Sequence, residues 1–186
     1  MSFRLTFTEN GFASISDYMS EAGTLLPDRL LTCNGRTELR EHDGMIVRLG
    51  QGSTMIIKES PMGLRPEYGD GSILILSKGA CGKYRTSCWF APANPLSERP
   101  DIFIRPGNQS GIDEFFAIKG DLVIYEFDEN NRTFTICTIH EGEKVTMSYN
   151  TNATSVRSRY SVSISSIPDQ EYEEILSEFI DRRNWS

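Results

Sequence analysis

The stretch Gly111-Ile112-Asp113-Glu114-Phe115-Phe116-Ala117-Ile118-Lys119-Gly120-Asp121-Leu122-Val123-Ile124-Tyr125-Glu126-Phe127 decides how the fold is read. Its second half, Leu122–Phe127, is rich in β-branched and aromatic residues and predicts a strand. Gly120-Asp121 supplies turn chemistry just before it. The first half, Gly111–Ile118, predicts one or two helical turns with Phe115, Phe116 and Ile118 turned inward. Asp128-Glu129-Asn130-Asn131 predicts a hairpin turn, since Asn tolerates positive φ, and the chain returns over Arg132–Ile139.

Further strands are expected at Phe3–Phe7, Met45–Leu49, Thr54–Lys58, Ser72–Leu76, Tyr84–Phe90, Asp101–Arg105 and Tyr160–Ser165. Ser72–Leu76 is almost unbroken in apolar character, as in a strand buried on both faces. Met45–Leu49 and Thr54–Lys58 flank the turn Gly50-Gln51-Gly52. Phe12, Ile15, Tyr18 and Met19 recur at helical spacing, and Leu25, Leu26, Leu30 and Leu31 suit a short helix near Pro27-Asp28. Ser60–Gly71 reads as loop, and Ala91–Pro100, with three prolines, as an irregular arm. Pro168, the acids after it and Arg182-Arg183 frame a helix over 168–183, with Tyr172, Ile175, Leu176, Phe179 and Ile180 on one stripe. The expected fold is mainly β (α+β). It is an open seven-stranded pseudobarrel with flanking helices, including a C-terminal amphipathic helix. One domain spans 1–186, with an N-terminal extension of unassigned fold at 1–43, a barrel core at 44–166 and the helix at 168–183.

The 186 residues are 38% hydrophobic and 24% charged, which is globular composition. No apolar run approaches the ~18 residues of a spanning helix, and Met1–Thr6 has no signal-like apolar core. These features predict a cytoplasmic protein without a membrane partner. Cys33, Cys81, Cys88 and Cys137 read as reduced thiols. Neither His42 nor His140 has a second ligand nearby in sequence. No Gly-rich phosphate loop and no G-x-S-x-G elbow occurs. No catalytic residue, metal or cofactor is implied.

The net charge is −7, but it is unevenly spread. Residues 77–112 hold five basic and two acidic groups, and residues 144–168 hold Lys144, Arg157 and Arg159 with no acid. Basic islands on an acidic chain can focus a field on one face.

The run Gly111–Phe127, with its Glu-Phe pair leading into Gly-Asp and a strand holding Val123 and Phe127, resembles the B-three-like pseudobarrel DNA-binding domains. It is similar in the same way to the effector domain of the EcoRII-type restriction endonucleases. The resemblance covers about a third of the chain. It implies sequence-specific binding of double-stranded DNA by two arms that enter the major groove. The chain would then be the recognition or effector domain of a bacterial restriction or defence protein, with a catalytic nuclease domain or subunit as a further partner.

The implied C-terminal arm is Ala91–Pro100, where Asn94, Ser97, Glu98 and Arg99 offer base-edge donors and acceptors. Lys83, Arg85, Arg105, Asn108 and Gln109 would contact phosphates. Arg48, Gln51 and Lys58, around the Gly50–Thr54 turn, would form the N-terminal arm. Two other classes are carried as alternatives. One is a metal-dependent nuclease with acids from Asp101, Asp113 or Glu114. The other is a protein-interaction module, suggested by the net acidity.

Overall fold

A computed structural model describes residues 2–9, 23–60, 63–76, 81–85, 88–94, 100–128 and 130–185. Three apolar runs in it explain the architecture. In Ile73–Leu76, Ile73 and Ile75 point into one buried cluster and Leu74 into another. Asp101–Pro106 divides in the same way, with Ile102 and Ile104 on one side and Phe103 on the other. Ile112–Lys119 sends Phe115 and Ala117 to the first cluster, and Phe116 and Ile118 to the second. Side chains alternate along a strand, so a sheet with both faces covered needs apolar residues at successive positions.

The fifteen strands described are β1 (Phe3–Thr8), β2 (Leu31–Thr32), β3 (Thr37–Glu41), β4 (Ile46–Leu49), β5 (Thr54–Ser60), β6 (Gly63–Gly69), β7 (Ile73–Leu76), β8 (Gly82–Tyr84), β9 (Cys88–Pro92), β10 (Asp101–Pro106), β11 (Ile112–Lys119), β12 (Leu122–Phe127), β13 (Thr133–Ile139), β14 (Glu143–Tyr149) and β15 (Tyr160–Ser166). They form an eight-stranded sheet, β1-β3-β4-β7-β10-β11-β14-β15, and a seven-stranded sheet, β13-β12-β9-β8-β6-β5-β2. All pairings are antiparallel except β6 with β8. The chain visits the sheets in turn, mostly one hairpin at a time. The first cluster draws on both sheets, among them Phe3, Leu39, Val47 and Phe115 from one and Met55, Tyr68, Phe90 and Ile124 from the other. The two sheets therefore pack face to face as a sandwich.

The second cluster lies on the outer face of the eight-stranded sheet. Its cover is the C-terminal segment: α2 (Asp169–Ile175), a π-helical turn over Leu176–Ile180 and a 3₁₀ turn over Arg182–Trp185. Ile175, Phe179 and Trp185 pack on Leu74, Phe103, Phe116 and Ile118. The short α1 (Val156–Arg159) precedes β15.

Several expectations are corrected. The architecture is a two-sheet sandwich, not a seven-stranded open pseudobarrel. Gly111–Ile118 is strand, not helix, because β11 is paired on both sides by β10 and β14. Ser60–Gly71 is not loop; it contains β6, in a hairpin with β5. Tyr84–Phe90 is not one strand, because a turn at Arg85 (φ 52°) separates β8 from β9. Leu25–Leu31 is not helical; the chain turns at Pro27-Asp28 and enters β2. β4 and β5 do not pair with each other, and the Gly50–Gly52 turn carries the chain from one sheet to the other. Within 1–43, to which the sequence assigns no fold, the described residues supply β1–β3. The C-terminal helix is α-helical only over Asp169–Ile175. The helix expected from Phe12 to Met19 lies outside the described residues.

Gly71 is required at the entry to β7. Its φ is 69°, and an added Cβ would lie 2.7 Å from the Ser53 Cα and backbone N. Backbone on both sides leaves little room to shift. Gly71→Ala should therefore cost about 1–3 kcal/mol, measured by urea unfolding.

Candidate functional site

Those of the predicted DNA-binding residues that are described do not assemble into one platform. Arg48 is buried on the outer face of the eight-stranded sheet, under the C-terminal segment. Its Nε donates to Glu38 Oε2 at 2.9 Å. It is therefore not available to a phosphate. Arg105 lies on the same outer face and donates to Glu114 at 2.7 Å and Glu171 at 2.9 Å, above the Phe116 ring. Lys144 completes that group at 2.7 Å from Glu171. The four charges fasten the start of α2 to the sheet. Arg85 pairs with Asp113 at 3.2 Å and Asp70 at 3.6 Å. Lys58 is exposed on β5, and Lys83 sits 5.8 Å from the Trp89 ring centroid on β8, in the other sheet.

Asn94 is exposed just beyond β9, Gln51 in the β4–β5 turn, and Asn108 and Gln109 in the β10–β11 turn. Ser97, Glu98 and Arg99 lie outside the described residues. Among the described residues of the basic stretch, Lys83 and Arg105 thus lie on different sheets of the sandwich. The reason is geometric, because β8 and β9 belong to the seven-stranded sheet and β10 and β11 to the eight-stranded one.

The acids named for a nuclease diverge as well. Asp113 and Glu114 are neighbours on a strand, so they point to opposite faces of the sheet. Glu114 meets Arg105 outside, while Asp113 lines an inner cleft with Cys88, Phe115, Met147, Ser148, Tyr149 and Tyr160. That cleft has room for about one water molecule. Among the described residues, no three His, Cys, Asp or Glu side chains gather as metal ligands. Burial pushes the Cys33 and Cys137 thiols up to about 11, so neither is a thiolate at neutral pH. His140 meets Asp121 at 2.9 Å on the exposed surface.

Burial also pushes the Asp113 carboxyl up to about 6, against the pull of Arg85. An acid whose folded pKa exceeds its unfolded value of about 3.9 is bound more tightly by protons in the folded state. Its ionisation therefore removes stability as pH rises from about 4 to about 6. Asp113→Asn should be more stable than the wild type by about 1–2 kcal/mol at neutral pH, with little difference near pH 4. Urea unfolding at the two pH values checks this, and an equal difference at both would overturn it.

The sheet edges differ in how they are guarded. β1 is covered by Gly23–Leu25, through the Arg4–Thr24 bridge and hydrogen bonds from the Leu5 N–H to the Gly23 carbonyl and from the Leu25 N–H to the Phe3 carbonyl. β2 is only two residues long. β13 keeps Phe134, Ile136 and Cys137 half-buried, and Ile136 and Cys137 pack against the core. β15 is different. It is outermost in its sheet and seven residues long, and every residue after Tyr160 is exposed. Among the described residues it pairs only with β14, over its full length. Val162 is 37% and Ile164 45% exposed. They stand opposite Met147 and Val145, which face the core, so they form an apolar ledge on the inner side of the sheet. No charge or proline interrupts Tyr160–Ser166.

The fold has a solved counterpart. A candidate anti-sigma factor from Parabacteroides distasonis ATCC 8503 is similar, with a TM-score of 0.52 and 13% identity over 80% of this chain and 64% of that one. This chain thus spans less than two thirds of that protein's length. At such identity the likeness is one of fold. No protein-family model and no curated protein matches the sequence. Among the described residues, no helix is long and apolar enough to cross a membrane.

The β15 edge was not among the candidate residues read from the sequence. The available signal was an alternating strand of serine with Val162 and Ile164, inside the acid-free stretch 144–168. Its position at the end of a sheet is tertiary information.

Proposed function

We propose that this chain is a non-catalytic protein-interaction module that accepts an added strand at β15. The supporting observation is the edge itself, which is long, uncharged and apolar on one side. An outermost strand presents unpaired backbone donors and acceptors, and natural proteins usually guard such edges with Lys, Pro or bulges. Strand addition uses these groups for affinity and alternate side chains for specificity. Selection from a random peptide library on the immobilised chain tests the reading. Enriched peptides should slow amide exchange at Ser161–Ser165, and binders that leave those amides unprotected would overturn it. Lys83→Ala and Arg99→Ala should leave that affinity unchanged.

Duplex DNA binding, as the recognition domain of a restriction or defence protein, is favoured by a separate observation. Lys58, Arg65 and Lys83 form no ion pair among the described residues and lie on β5, β6 and β8 of one sheet. Three phosphate contacts would give a log–log salt slope of about −3. Lys58→Glu with Lys83→Glu should abolish such binding. Negligible duplex affinity at ~50 mM salt for every sequence tried would end this reading. A binding module leaves a magnesium-treated plasmid intact, whereas the nuclease alternative predicts nicks.

A further inference from the structure

We infer that the strand accepted at β15 is β15 of a second copy of this chain, paired antiparallel about a twofold axis at Ser163. The inference rests on the strand-addition reading and names its partner. In a twofold pairing centred on Ser163, Ser161 of one copy faces Ser165 of the other, and Val162 faces Ile164. The pattern Ser-Val-Ser-Ile-Ser is nearly palindromic, so the strand offers its own complement. A twofold contact uses the same patch on both subunits and must tolerate each residue opposite its symmetry mate. On a chain of net charge −7 most surfaces would fail that condition, because acid would meet acid. Tyr160–Ser166 carries no charge, and the nearby cations Lys144 and Arg159 are already paired with Glu171 and Glu126.

The apolar ledge supplies the second argument. Exposed large hydrophobics among the described residues are Leu30, Leu64, Tyr149, Val162 and Ile164. Three of the five therefore lie on β14–β15. An axis perpendicular to the sheet leaves the inner faces of both copies on the same side. Val162 and Ile164 of one copy then adjoin Ile164 and Val162 of the other, and the ledges cover each other. Cross-strand pairs of β-branched residues stabilise a sheet in this arrangement. The two eight-stranded sheets would become one continuous sheet.

Sedimentation equilibrium of the full chain over ~1–100 µM, with charge variants on exposed serines, tests the register. Ser161→Lys with Ser165→Lys places like charges opposite each other twice, and should raise the dimer dissociation constant at least about tenfold. Ser161→Lys with Ser165→Glu places opposite charges together twice and should preserve the dimer. Thr135→Lys on β13 should leave it unchanged. Thermal melts of each variant verify folding. A wild-type chain that stays monomeric throughout would overturn the inference, as would a dimer indifferent to the like-charge pair. If that monomer still gains β15 protection from selected peptides, the strand-addition reading survives; if it does not, both fall.

Discussion

Replacing Arg48 by alanine is expected to cost about 3–5 kcal/mol of unfolding free energy. Arg48 is 2% exposed and joins three parts of the chain. Its Nε meets Glu38 on β3, its Nη1 donates to the carbonyls of Phe179 and Ile180, and its guanidinium lies 5.3 Å from the Trp185 ring centroid. The two carbonyls belong to the π-helical turn, where the last carbonyls have no intrahelical donor. Arg48 thus caps the C-terminal segment from a strand beneath it. Its loss would strand the Glu38 carboxylate, also 2% exposed, with only Arg40 and Thr6.

Glu38→Gln in the Arg48→Met background should cost less than the two single changes together, because the buried charge leaves with its partner. Burial alone would raise the Glu38 pKa, but hydrogen bonds from Arg48, Thr6 and Arg40 outweigh it and hold the carboxyl below its usual range. A depressed acid contributes stability above its unfolded pKa and loses it as pH falls through the folded value. Acid titration of the wild type should therefore release this latch, whereas the double variant should lack that phase. Urea unfolding followed by near-ultraviolet dichroism checks both outcomes.

Phe179→Ala should cost about 3–5 kcal/mol, the scale of a buried aromatic truncation. The Phe179 ring lies 4.9 Å from Phe103 and 5.8 Å from Trp185, and its edge sits where a Cβ on Gly50 would be only 3.3 Å away. The site has little freedom to collapse, because its floor is a hydrogen-bonded sheet. Limited proteolysis should cut the variant within residues 168–185 well before the wild type. Combined with Arg48→Ala, the loss should fall short of the sum, since both changes release the same segment. Strict additivity would show that the cap and the ring act independently.

What could be read from the residues follows from how far each signal reaches. β7, β10 and β12 announce themselves because an apolar run bounded by turn residues is local. β11 misleads for the opposite reason. Phe115, Phe116 and Ile118 look helical in spacing, but they serve two different clusters on two faces of one sheet. β6 is hidden by Pro66, which is tolerated because its pairing with β8 begins only at Glu67. The turn at Arg85 takes positive φ without glycine, so no local cue marks it. Arg105 is recognisable as basic, but one of its two carboxylate partners, Glu171, lies 66 residues away. A charge summed along the chain says nothing about which side of a sandwich each group occupies.

The cover on the outer face has a consequence in time. Ile175, Phe179 and Trp185 leave the ribosome after all fifteen described strands have been made. Until they arrive, Leu74, Phe103, Phe116 and Ile118 form a bare apolar floor on a nearly finished sheet. Nascent chains in that condition are prone to clump and are natural clients for a holding chaperone. This late-emerging stretch acts as a seal on the strands made before it, and yield in cells should depend on it more than its share of the length suggests.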